Sequence, residues 1–274
     1  MMKDDGTSIR SLSLEFFDPL SELEPKYLFA AFEKFESAEF WECGTYQDVP
    51  DVPRDVMTTF FKTVAASTNL KKLLLTCVHN FSHVDHTLLR RMATQLEELY
   101  LGGGCDEGDC DMTNQIGTII DAIASDEVAT LKKLTLHYID LSLVDGHLLG
   151  RMATQVKELD VTSDDLDKYQ LNAIFVAIAA GPGKLKKLQL ESCLQDFKDE
   201  VSDTVLAAAV NKLECFYNAG DSDLFSIRSL KTILKRALKQ TALKTLVFQG
   251  DKTLLDPKLI RAAEKIIPNL SIQK

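Results

Sequence analysis

The 274-residue chain is poor in several things, and each shortage excludes a class of protein. It has one Trp, 13 Gly and 7 Pro, too little Gly and Pro for a collagen-like or low-complexity chain. No apolar run reaches the roughly 18 residues that cross a bilayer, so no membrane partner is expected. The opening MMKDDGTSIRSLSLEFF lacks the basic-then-apolar order of a secretory signal. Positive charge is in deficit, with a net charge of −10; a general nucleic-acid binder needs a basic face to displace counterions from phosphates. Six cysteines in a chain of this length, without a leader, read as reduced thiols in the cytoplasm. There is no HExxH, no GxSxG and no convincing catalytic dyad, so no enzyme activity, cofactor or metal is expected.

The chain does have repetition. VDHTLLRRMATQLEELYL begins at Val84 and VDGHLLGRMATQVKELDV at Val144. Each ends in a short strand-like phrase with Leu or a substitute at positions 1, 4 and 6, such as Leu96-Leu99-Leu101 and Val156-Leu159-Val161. Ten such phrases start at 9, 35, 70, 96, 131, 156, 185, 213, 243 and 267. Their spacing tends to alternate short and long, so the larger unit is a pair written five times, and the first three pairs are 61 residues apart. Tandem units of this length stack on one another. Asn218 at a core position of the eighth phrase is the departure from the pattern.

Amphipathic stretches separate the phrases. In the short gaps Asp85, Asp145, Ser202 and Asp256 stand where helix N-caps belong; Glu24 is a poorer cap, and Pro25 and Pro257 occupy first-turn positions. Leu88, Leu89 and Met92 form one apolar stripe. The long gaps carry RDVMTTFFKTVA, NQIGTIIDAIA, YQLNAIFVAIA and SIRSLKTILKRAL. Alternating strand and helix at this period gives an α/β solenoid, with parallel strands on one side and wider helices on the other, so the stack curves with the strands inside.

The phrases LKKLLLTCV, LKKLTLHYI and LKKLQLESC resemble leucine-rich repeats. The long units with full helices, and Cys43 and Cys193 at the ninth position, are similar to the ribonuclease-inhibitor-like subtype. The resemblance implies a right-handed horseshoe of about ten parallel strands on the concave face with helices on the convex face. It spans residues 9–274 as one domain of ten repeats in five tandem pairs, after a disordered tail over 1–8. It also implies a non-enzymatic protein-interaction scaffold, or alternatively the recognition domain of a larger innate-immune sensor or ubiquitin-ligase adaptor.

Three stretches imitate chemistry. GGGCDEGDCD offers Cys105 and Cys110 among acids, but it lacks the four ligands of a zinc site and the spacing of a calcium loop. His79, His83 and His86 are crowded together, yet the next unit keeps neither His83 nor His86, so a solvated loop is expected. GPGKL at 181–185 lacks the leading Gly and the trailing hydroxyl of a phosphate loop and reads as a helix stop. Residues 223–274 hold 11 Lys or Arg against 4 Asp or Glu, a net of +7. The basic helix there is expected to pack its apolar side on the sheet.

With positions 1, 4 and 6 buried, positions 3, 5 and 7 face the open side. Position 3 alternates Lys72, Glu98, Lys133, Glu158 and Lys187, a cross-strand charge ladder. Positions 5 and 7 hold no Lys or Arg; the candidate partner-binding residues are Glu15, Glu39, Trp41, Leu74, Tyr100, His137, Asp160, Glu191 and Tyr217. Exposed aromatics beside acids suit a protein with a basic surface. Leu12, Leu14, Phe16 and Phe17 at one end and Leu270 and Ile272 at the other are expected to leave apolar edges, covered either by self-association through an end or by a flanking domain.

Overall fold

The computed structural model describes residues 11–16, 36–42, 54–76, 84–103, 113–125, 130–163, 166–191, 201–218 and 225–273. Among them ten strands form one sheet in strict chain order, every neighbour parallel. They are β1 (Ser11–Phe16), β2 (Ser37–Glu42), β3 (Lys72–Thr76), β4 (Glu98–Gly102), β5 (Lys133–His137), β6 (Glu158–Thr162), β7 (Lys187–Glu191), β8 (Cys215–Asn218), β9 (Thr245–Gln249) and β10 (Asn269–Gln273). The described helices alternate with them: α1 (Arg54–Ala66), α2 (His86–Gln95), α3 (Thr113–Ala124), α4 (Gly146–Gln155), α5 (Lys168–Ala180), α6 (Asp203–Val210), α7 (Ile227–Ala237) and α8 (Pro257–Glu264). This is the α/β solenoid that the phrases predict.

Register follows the phrases residue for residue. Lys72 pairs with Glu98, Glu98 with Lys133, Lys133 with Glu158 and Glu158 with Lys187. Because side chains alternate between faces along a strand, in-register stacking draws each phrase position into one row across the sheet. Positions 1, 4 and 6 are buried from β3 onward, from Leu70, Leu73 and Leu75 to Leu243, Leu246 and Phe248. They join the inner faces of the helices in one continuous core.

The two echoed lines fold alike. Leu89, Met92 and Ala93 are the buried residues of α2; Leu149, Met152 and Ala153 are buried at the same places in α4. Leu88 is half-buried at the edge of that stripe. Asp85, Asp145 and Asp256 cap their helices as predicted, accepting from Thr87, His147 and Lys258 backbone N–H groups. Ser202 stands at the N-cap of α6, but its side chain makes no capping hydrogen bond; Asp203 in the first turn supplies the negative charge that a helix start favours. Gly181 ends α5 and Gly183 adopts φ +77°, so GPGKL is the helix stop it resembled. Leu230, Ile233, Leu234 and Ala237 bury the apolar side of the basic helix α7.

Neighbouring repeats are also stitched at the helix ends, where the last carbonyls lack intrahelical partners. Gln95 donates to the Val64 carbonyl, Thr130 to Thr94, and Arg151 to Ala124. A buried bridge joins Gln170 to the preceding repeat. Its Nε2 donates to the Leu141 and Val144 carbonyls, both at 2.7 Å, while its Oε1 accepts from the Asp167 N–H and completes a capping box. At the last strand Leu270 and Ile272 are half-buried and packed against the core. The tail over 1–8, Glu24, Pro25, Phe17, Cys43, Cys193, Cys105, Cys110, His79 and His83 lie outside the described residues. So do the side chains of Leu12, Leu14 and Phe16.

Candidate functional site

Register assembles the predicted open-face rows. Ser13, Glu39, Leu74, Tyr100, Thr135, Asp160, Gln189, Tyr217, Val247 and Ser271 follow one another at position 5. At position 7, Glu15, Trp41, Thr76, Gly102, His137, Thr162 and Glu191 do the same. The backbone thus places Glu15, Glu39 and Trp41 in these rows at β1 and β2. The remaining candidates, Leu74, Tyr100, His137, Asp160, Glu191 and Tyr217, are half-buried rather than fully exposed. Strands about 4.8 Å apart make neighbouring side chains shield one another even on an open face.

Three candidates converge at the middle of the sheet. The Tyr100 hydroxyl lies 3.1 Å from His137 Nδ1, with the two rings edge to face at 5.3 Å. On the other side of the imidazole, His137 Nε2 lies 3.8 Å from Asp160 Oδ1. The line runs diagonally through position 5 of β4, position 7 of β5 and position 5 of β6. Gly102 makes the diagonal possible. It pairs with His137, and a Cβ there would stand 2.9 Å from Tyr100 Cε1; the missing side chain lets the ring lean toward the imidazole.

The site holds polar atoms that the described residues do not satisfy. Among the described residues His137 Nε2, Asp160 Oδ1, Thr76 Oγ1 and Thr162 Oγ1 are buried without a hydrogen-bond partner. Thr162, 2% exposed, pairs with His137 in the sheet. Burial pushes the Asp160 carboxyl above its ordinary range; Glu191 adds to the rise, while His137, Lys187 and Lys133 oppose it. Unsatisfied buried groups cost folding free energy and call for an explanation. A proton on His137 Nε2 and a shift of the two side chains toward each other would turn the gap into a charge-assisted hydrogen bond.

The backbone above the site is tightly held. Tyr138 has φ +51°, unusual for a bulky residue. Its N–H donates to the Thr162 carbonyl at 2.6 Å, and the Gly103 N–H donates to the His137 carbonyl at 2.8 Å. A Cβ on Gly103 would meet the Tyr138 carbonyl oxygen at 2.1 Å. The Tyr138 side chain is 58% exposed and its ring is edge-on to His137 at 6.2 Å. Toward the first repeats, Leu74 and Tyr100 line a shallow depression of about 160 Å³ with Lys72, Glu98 and Lys133.

Two expectations change. The position-3 ladder forms an ion pair at its first step, Lys72 to Glu98 at 2.6 Å. Lys187 instead sits 5.4 Å over the Tyr217 ring, so Tyr217 is already engaged by a cation of its own chain. Closer charge pairs occur one position earlier, where Lys132 meets Glu97 and Lys244 meets Glu214, each at 2.5 Å. These hydrogen bonds hold both carboxyls below their usual range. His86, expected in a solvated loop, begins α2 and its Nδ1 bonds Thr118 Oγ1 of α3 at 3.0 Å. Among the described residues no His, Cys, Asp and Glu group could hold a metal, and no helix is long and apolar enough to cross a membrane.

Comparison with protein-family models and with curated proteins finds no match. Among solved structures the chain is similar to the leucine-rich repeat-containing protein LegL7 from Legionella pneumophila. The identity is 18%, the TM-score 0.55, and the match covers 96% of this chain and 82% of that one. With the strand order and register, this establishes the leucine-rich-repeat solenoid as the fold.

Proposed function

We propose that the protein is a non-enzymatic recognition scaffold that binds a partner protein on the open, concave face of its sheet. The contact is centred on Tyr100, His137 and Asp160. The observation that carries this reading is the set of buried polar atoms around Asp160 whose hydrogen bonding the described residues leave incomplete. A Lys or Arg side chain of a partner would bring donors to Asp160 and to the neighbouring Glu191, in a row pair with no cation of its own. Leu74 and the Tyr100 ring would supply the apolar contact, and Trp41, Glu39 and Glu15 extend the same rows toward the first strand. Tyr217 is the weakest member, since a partner would have to displace Lys187.

The test is affinity capture from source lysate with wild-type protein and a Tyr100→Ala/Asp160→Asn variant of unchanged circular dichroism, read by mass spectrometry. A partner held by wild type at low salt, released as salt rises and missed by the variant supports the reading. A partner retained equally by both moves recognition to the loops or the outer helices.

A further inference from the structure

A second site lies on the opposite rim, where α5, α6 and α7 end. There a cleft of about 660 Å³ is bordered by Lys186, Lys212, Arg236 and Lys239, and among the described residues no carboxylate lines it. In a chain of net charge −10, four cations from two successive repeats around one opening are a local reversal of sign. Clefts of this size hold small molecules.

The cations are not explained as helix caps. The C-terminal end of a helix favours positive charge, and elsewhere such residues touch the carbonyls, as Arg151 does at Ala124. Here Lys212 alone does so, donating to the Ala179 and Gly181 carbonyls at 2.5 and 3.0 Å. Other terminal carbonyls are already engaged: Ala177 by the Gly181 N–H, Ala207 by Asn211, and Arg236 by the Lys239 and Gln240 N–H groups. Among the described residues the side chains of Lys186, Arg236 and Lys239 make no such contact. The acid that Lys186 influences, Glu214, is held by Lys244 at 2.5 Å. Gly181, Pro182 and Gly183 form one wall, which carries no side chain beyond the proline ring.

We propose that this cleft binds a small ligand bearing two or more phosphate groups. Three cations without carbonyl contacts, around an opening that no carboxylate of the described residues lines, suit clustered phosphates, each of which accepts charge-assisted hydrogen bonds. The same chemistry is presented by a soluble polyphosphate and by a multiply phosphorylated lipid headgroup.

The test uses tripolyphosphate in calorimetric titration at physiological salt, and sedimentation with phosphatidylcholine vesicles with or without phosphatidylinositol bisphosphate. It compares the wild type, Arg236→Gln/Lys239→Gln, and the charge-matched Lys231→Gln/Lys235→Gln, whose positions are exposed on the same helix outside the cleft. Saturable binding of either probe, weakened about tenfold or more by the first variant and less than about twofold by the second, supports the site. Which probe binds identifies the source of the phosphates. No saturable binding of either, or equal loss in both variants, overturns the proposal, since the effect would then be general charge attraction.

Discussion

His137 Nε2 and Asp160 Oδ1 face each other across 3.8 Å, both buried and neither bonded to another group of the described protein. The pair sits at the centre of the sheet with Tyr100 fixing the opposite ring nitrogen. Its cost in the free chain gives the site a measurable signature.

Burial raises the Asp160 pKa in the folded chain above the ordinary 3.8. Between those two values the folded chain keeps a proton that the unfolded chain has released. This group's contribution therefore falls as pH rises through that window and is constant above it. Asp160→Asn has no such proton. Its melting temperature minus that of wild type should grow more positive as pH rises above the ordinary carboxylate range and then level off. A difference that stays constant with pH would show that Asp160 pays no burial cost.

Gln170 should be among the most sensitive polar positions. Gln170→Ala removes two buried hydrogen bonds and one part-buried one and takes the side-chain donor from the Leu141 and Val144 carbonyls, which should cost about 2–3 kcal/mol in urea unfolding. Ser202→Ala, where no capping hydrogen bond exists, should cost less than about 0.5 kcal/mol. Equal losses would contradict the bridge.

Asn218 is 1% exposed, with neither amide atom partnered among the described residues, and its row neighbours are Leu190 and Phe248. Asn218→Leu should raise stability by about 1–2 kcal/mol, because removing an unsatisfied amide outweighs the strain of a larger side chain. A fall in melting temperature would place a partner on the amide.

The fold was legible because the period-2 strand and the repeat length are both written in Leu positions. Once Leu99 and Leu134 were aligned, Tyr100 and Asp160 had to share a row, and Asn218 stood out as the misfit in the core. What could not be read was the direction of individual side chains. The diagonal from Tyr100 to His137 depends on which way a ring leans. The Gly102 gap beside His137 is the signal that could have revealed it, since an empty place in a row invites the aromatic two residues earlier. Lys187 was free in the sequence to meet Glu158 or Tyr217, and its long stem reaches the ring. The basic cleft was hidden because Lys186, Lys212, Arg236 and Lys239 are far apart in sequence. Only the stacking of helix ends gathers them, and the excess of charge after residue 222 marked half of the set.

The unbroken strand order has a mechanical consequence. Each strand is bonded only to the strands just before and just after it in the chain, so a pull on the two ends, directed along the stack, passes through every ladder in series. The backbone bonds between neighbours then open in sequence like a zipper instead of resisting together in shear. Within the described repeats the molecule is thus a soft spring. It yields by peeling single repeats from an end while the Tyr100–His137–Asp160 face, several strands inward on either side, keeps its shape longest.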